Sequence, residues 1–328
     1  MKEIHRARRV GVTAVACALV MRLFAAGVPE RLYARFLQPN IDAFLTKLET
    51  GRNVRFSSSM GTFSPDFMES PPPSVPEPTE PALPAFSGQE EVDLYYAVRK
   101  NPDIEELLAK PLQWNLLDEA PSVLILHTHT TESYTRHGED YKETSSWRTL
   151  DERYNMLAIG QLVGKLLEEH GISVIQEESL HDYPSYSGSY IRARQTLREN
   201  LQEHSGIRLV LDLHRDAAGD GVNQMRTHAE VEGKPSAQLM IVIGTNHEAY
   251  EENLSLGLKL HVQLEQLFPG IMRPLQLRAQ RFNQDLSPGA LLIEVGAAGN
   301  SHQEARTAAE ALAKAIVALA RGTGPLAE

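Results

Sequence analysis

Three apolar runs of strand character, each delivering a chemistry-bearing side chain at or just past its C-terminal end, constrain this chain most. The first, Val123-Leu124-Ile125-Leu126, leads into His127-Thr128-His129-Thr130-Thr131-Glu132-Ser133. The second, Ile207 to Leu213, ends in His214-Arg215-Asp216. The third, Ala290 to Ile293, ends in Glu294, followed by Val295-Gly296-Ala297-Ala298-Gly299-Asn300. Amphipathic helical patterns lie between the runs. That alternation predicts an α/β fold, a single mostly parallel sheet flanked by helices. Open sheets of this kind bind ligands outside the carboxyl ends of their strands, so residues about 80 positions apart can meet at one edge. Side chains two apart on a strand share a face, so His127 and His129 can point the same way.

The residue types then suggest metal-assisted hydrolysis. A catalytic zinc takes three protein ligands and keeps one position open for water. His129, Glu132 and His214 supply two imidazoles and one carboxylate. Such a site lowers the pKa of its water toward neutrality, and a further carboxylate, assigned to Glu294, takes the proton and passes it to the leaving amine. The competing assignment for Glu294 is a structural partner of Arg215 or Arg281. Arg215 and Asp216 are expected to orient ligands or hold their loop. Imidazole and carboxylate donors favour zinc over manganese.

These motifs carry a resemblance. His127-Thr128-His129-Thr130-Thr131-Glu132-Ser133-Tyr134, Asp212-Leu213-His214-Arg215-Asp216-Ala217, Arg281-Phe282-Asn283-Gln284-Asp285-Leu286 and Leu292-Ile293-Glu294-Val295-Gly296 occur in that order. Ile243-Gly244-Thr245-Asn246, Asn253-Leu254 and Phe268-Pro269-Gly270 also fit. From about Pro121 to Leu319 the chain resembles the stage II sporulation protein P family of endospore-forming bacteria. The resemblance implies a peptidoglycan hydrolase similar in fold to zinc-dependent N-acetylmuramoyl-L-alanine amidases. It implies cleavage of the amide joining stem peptide to glycan, with an endopeptidase activity on peptide cross-links. It also implies action in forespore engulfment beside a lytic transglycosylase and other engulfment proteins. In the related amidases the ligating glutamate sits near the start of the helix after the first strand, a place held here by Glu152. Glu132 is favoured, with Glu152 competing for its role and His127 competing with His129.

The chain has 328 residues and divides into three parts. Residues 1–28 read as a membrane anchor or signal segment: Lys2, Arg6, Arg8 and Arg9 precede an apolar run to Met21, and a span to Val28 requires Arg22 to snorkel. The charge bias places the N-terminus inside and the bulk outside the cytoplasm. An uncleaved anchor is favoured over a cleaved signal. Residues 29–88 read as a juxtamembrane helix and a proline-rich linker. Residues 89–328 read as the catalytic domain, led by an amphipathic helix from Glu90 to Leu107. Helices are then expected over Tyr154–His170, Ile191–Glu203, Asn253–Leu267 and Glu304–Ala320, with strands at Ser173–Ile175 and Gln238–Ile243.

Cys17, in the apolar run, is the only cysteine, so no internal disulfide forms. A net charge of −11 argues against nucleic-acid binding, and no glycine-rich loop opens a helix to hold a nucleotide. The loop Asp182–Tyr190 and the segment Arg278–Gln284, with Arg281 and Asn283, are candidates for substrate contact. His181, His228, His247 and His302 lack ligand spacing and read as surface or capping residues. Two other readings compete with the amidase: a metal-dependent glycan deacetylase, and a catalytically silent wall-binding scaffold.

Overall fold

The computed structural model describes residues 90, 92–98, 100–112, 114–117, 120–135, 147–217 and 223–322. The expected anchor, juxtamembrane helix and proline-rich linker lie outside these residues. Among the described residues no helix is long and apolar enough to cross a membrane.

Strands β1 (Leu94–Tyr96), β2 (Val123–Leu126), β3 (Val174–Gln176), β4 (Leu209–Asp216), β7 (Leu239–Gly244), β8 (Leu275–Arg278) and β9 (Ala290–Ala297) form one sheet, in the order β1-β8-β7-β9-β4-β2-β3. A separate hairpin pairs β5 (Ala229–Val231) with β6 (Lys234–Ser236). The helices are α1 (Ile104–Ala109), α2 (Met156–Glu168), α3 (Ser189–Glu203), α4 (Tyr250–Leu267) and α5 (His302–Arg321). The sheet is mostly parallel, as expected, with one antiparallel seam between β7 and β9. β1, β8 and β7 therefore run against β9, β4, β2 and β3. The end of β7, with Thr245 and Asn246, consequently lies at the opposite edge from the ends of β2, β4 and β9.

Strand periodicity sorts the interior. The odd-numbered Val123, Ile125, Leu209, Leu211, Leu213, Leu291, Ile293 and Val295 join the main core, shared with α2, α4 and α5. Even-numbered Leu124, Leu126, Val210 and Ala290 pack under α3 with Ala193 and Leu197. Met240, Val242 and Leu292 lie under Phe282 on a small third cluster. Along β4 and β9, Asp212, His214 and Glu294 share that even parity. They belong to the face that carries α3.

The boundaries follow local chemistry. Asn155 caps α2, accepting from Leu157 N at 2.9 Å, so the helix starts two residues later than its pattern suggests. Ser301 and Glu304 form a reciprocal capping box at the start of α5, which Gly322 ends in a left-handed conformation. The expected leading helix from Glu90 to Leu107 is not formed. Leu94-Tyr95-Tyr96 suits a pleated edge and pairs with β8. Pro102 then interrupts any helix, and Asp103 caps a short α1 by accepting from Glu106 N at 3.0 Å.

Candidate metal-dependent hydrolytic site

His127 follows the parity of β2 into the main core, against α2. Its Nδ1 lies 3.1 Å from the Leu213 carbonyl and its Nε2 3.1 Å from the Gln176 amide nitrogen. The Gln176 amide nitrogen can only donate and the Leu213 carbonyl oxygen can only accept, so Nε2 accepts and Nδ1 donates. Burial holds the ring neutral, with its pKa pushed down to about 4. Gly160 makes room for it: a Cβ there would stand 2.5 Å from His127 Nε2.

β2 ends at Leu126, so the two-residue period does not carry His129 to the same side as His127. Threonines turn the chain instead. Thr128 donates through N and Oγ1 to the Asp212 carboxylate at 2.8 and 2.6 Å. Thr131 donates likewise to Asp182 at 3.1 and 2.7 Å. His129 emerges on the α3 face with its ring perpendicular to that of His214, centroids 5.2 Å apart. Tyr186 stacks on it at 4.5 Å, with the Tyr186 hydroxyl 3.1 Å from His129 Nε2. His129 Nδ1 is buried with no hydrogen-bond partner. Burial lowers its pKa to about 4.

Glu132 is buried beside both histidines. Oε2 accepts from Arg215 N at 3.2 Å and lies 3.7 Å from His214 Nδ1. Oε1 faces Arg148 at 3.3 Å and the Arg215 guanidinium at 3.7 Å. Burial pushes the carboxyl pKa up, but Arg215, His129, His214 and Arg148 outweigh it and hold the group ionised. His214 Nε2 stands 2.9 Å from Asp212 Oδ1, an ionic contact rather than an aligned hydrogen bond. Burial works against charge on His214, yet Asp212, Glu132 and Glu294 lift its pKa to about 9.

Glu294 sits directly opposite His214 in the β4–β9 register. Its Oε2 is buried without a partner, and burial raises the carboxyl pKa to about 8. Arg215, the competing partner proposed for it, opposes that rise through its charge while donating to the loop. Arg215 Nε donates to Ser133 O at 3.0 Å and Nη2 to Trp147 O at 2.9 Å. Arg281 lies beside Asp285 at 3.9 Å, with about half its side chain exposed. Asp216 accepts from Arg273 at 2.8 Å, a bond that holds the end of β4.

His129, Glu132, His214 and Glu294 thus come together, and Glu152 does not. Glu152 is exposed and lines a shallow cleft with Gln161, Lys165 and Arg306. Asn283 supports rather than faces the site: its amide donates to Tyr190 O at 2.9 Å and its oxygen accepts from Arg194. Tyr190 in turn stacks over His214 at 6.4 Å. His181 is buried rather than exposed, its Nδ1 2.8 Å from His127 O and its Nε2 3.0 Å from Thr196 Oγ1.

The roles of three residues escaped the sequence reading, which named Asp212 only within a motif and Asp182 only as the start of a loop. Asp212 was findable, since it lies two positions from His214 on one strand and therefore on one face. Arg148, whose guanidinium bridges Glu132 and Asp182 and lies over the Tyr186 ring at 4.7 Å, gives no periodic signal. The same is true of Asp182.

Among the described residues no three His, Cys, Asp or Glu side chains stand drawn up as a closed metal cage. The donor chemistry nevertheless fits zinc. His129 Nδ1 is a buried nitrogen without a partner, His214 Nδ1 faces Glu132 Oε2, and these donor types are those of hydrolytic zinc.

A family model described as Stage II sporulation protein P matches residues 77–317. A curated Bacillus subtilis (strain 168) protein of that name is 29% identical over 202 residues, which cover 58% of this chain and 49% of the relative. The chain thus spans about half the length of that relative. Among solved structures, the CwlD amidase from Clostridioides difficile, in complex with the GerS lipoprotein, matches at a TM-score of 0.39 and 15% identity. That match covers 60% of this chain and 98% of the other. The N-acetylmuramoyl-L-alanine amidase AmiC2 of Nostoc punctiforme matches at 0.35 and 14%, covering 61% and 97%.

Proposed function

Because the chain belongs to the stage II sporulation protein P family, we propose that it is a zinc-dependent peptidoglycan hydrolase of sporulation. It cuts the amide between N-acetylmuramic acid and the stem peptide, and it can extend to peptide cross-links. The observation that carries this reading is the convergence of His129, Glu132, His214 and Glu294 on one sheet face.

His129, Glu132 and His214 would hold the metal, which when bound supplies Lewis acidity and a water of lowered pKa. Glu132 reaches that role ionised, because Arg215 and Arg148 favour its charge. Glu294 would accept the water proton and deliver it to the departing amine. The strand register sets its buried carboxyl directly opposite His214, where one group can both take and give that proton. Arg215 fixes the loop behind Glu132. The expected anchor over residues 1–28 would hold this domain outside the cytoplasm, where it meets peptidoglycan, a lytic transglycosylase and other engulfment proteins.

The test is digestion of purified peptidoglycan by the full chain, beside His214→Ala and Glu294→Gln, with bound zinc measured in each. Stem peptides released by the parent alone, with zinc lost from His214→Ala and retained by Glu294→Gln, are expected. Released acetate would replace this reading with a deacetylase. Intact peptidoglycan and no bound zinc in the parent would leave a wall-binding scaffold.

A further inference from the structure

Asp212 lies at the centre of the site's polar contacts, although the reaction proposed above does not use it. β4 places Asp212 and His214 on one face, and β2 is paired so that Leu126 lies opposite Asp212. Thr128, two residues past Leu126, then reaches the carboxylate with both its amide and its hydroxyl, at 2.8 and 2.6 Å. Asp212 is buried, at 7% exposure, so these contacts and His214 surround it. A carboxylate fixed this way presents Oδ1 to His214 Nε2 at 2.9 Å. A carboxylate beside a ring nitrogen favours a proton on that nitrogen and leaves the lone pair on the other. For His214 the other nitrogen is Nδ1, which faces Glu132 Oε2 at 3.7 Å. His129 has the matching arrangement, with Nε2 beside the Tyr186 hydroxyl and Nδ1 bare.

We propose that Asp212, braced by Thr128, is a positioning residue that fixes His214 to bind a metal ion through Nδ1. The inference rests on the metal-site reading above. It assigns which ring nitrogen is the donor and which carboxylate sets it. Orienting carboxylates behind ligating histidines are worth about 10- to 100-fold in metal affinity.

The experiment uses the full chain labelled with 15N-histidine and loaded with zinc. Long-range 1H–15N spectra distinguish imidazole bound through Nδ1 from imidazole bound through Nε2, and His214→Gln identifies the His214 signals. His214 bound through Nδ1, with a proton on Nε2, is expected. Zinc affinity, read by chelator competition, should fall about 10- to 100-fold in Asp212→Asn. Thr128→Val keeps the carboxylate and should fall less. Binding through His214 Nε2, or unchanged affinity in Asp212→Asn, overturns the proposal while leaving the metal site standing. Absence of zinc from the wild-type chain overturns the metal-site reading itself, and this proposal with it. Should Asp212→Asn fail to fold, the wild-type nitrogen assignment alone decides.

Discussion

His127 and His129 are two residues apart and have opposite surroundings, because one obeys the strand and the other follows a turn. His127 is boxed between the Leu213 carbonyl, the Gln176 amide and Gly160. Replacing Gly160 by alanine would gain about 1 kcal/mol of helix propensity in open surroundings. Here the new methyl meets an imidazole with nowhere to move, and overpacking of this kind costs about 1–3 kcal/mol. Gly160→Ala should therefore lower the urea midpoint rather than raise it. The two carboxylates of the site should also diverge. Glu132→Gln removes the counter-charge of buried Arg215, and breaking a buried pair costs about 3–5 kcal/mol. Glu294→Gln replaces a buried carboxyl whose Oε2 has no partner, so stability should hold or rise. A shared urea titration of the two variants checks both signs. At this scale the residue types were legible in the sequence, and so was their alternation within strands. The break at Leu126 that separates His129 from His127 depends on Thr128 meeting Asp212, a contact between segments 84 residues apart.

α5 shows how an element's end can set an acid limit. Glu304 accepts from Ser301 N at 2.9 Å and from the Asn300 amide at 3.2 Å, and it pairs with Arg226. Burial disfavours its charge, but Arg226, Ser301 and Asn300 overcome that and bring its pKa to about 2 from 4.5. With the folded pKa depressed, the unfolded chain binds the proton first as pH falls. Stability from Glu304 is therefore full above about pH 4.5 and is lost as pH falls toward 2. The thermal midpoint of the wild type should drop more steeply across that window than that of Glu304→Gln. Ser301→Ala, which removes the other half of the box, should cost about 1 kcal/mol at neutral pH. Helices were the most legible elements, since their apolar periodicity runs for many residues. The hairpin strands β5 and β6 carry Glu230, Lys234 and Pro235 in place of an apolar run, and β1 was hidden inside an apparently helical stretch. The direction of β7 was equally hidden, because a buried strand reads the same either way.

For the whole molecule, metal binding should appear as folding stability. Zinc that binds only the folded chain at a concentration 100 times its dissociation constant adds about 2.7 kcal/mol. The thermal midpoint should rise with zinc and fall with chelator, and His214→Ala should respond to neither. The pairing of β9 has a different consequence, for folding fidelity. β9 is gripped on both sides, by β4 and by β7, with Glu294 opposite His214 on one side and Met240 on the other. Gly296 pins the strand's exit with a left-handed φ of 70°, where an added Cβ would stand 2.7 Å from the Ala237 Cβ. A slip of one residue would turn every side chain of β9 over. Glu294 would then enter the apolar core, where Ile293 now lies between Leu213 and Ile241, and burying an unpaired carboxyl there is costly. The residue assigned to proton transfer is thereby also a penalty against misregistered chains, so that a correctly aligned sheet and a correctly equipped face are selected in the same step.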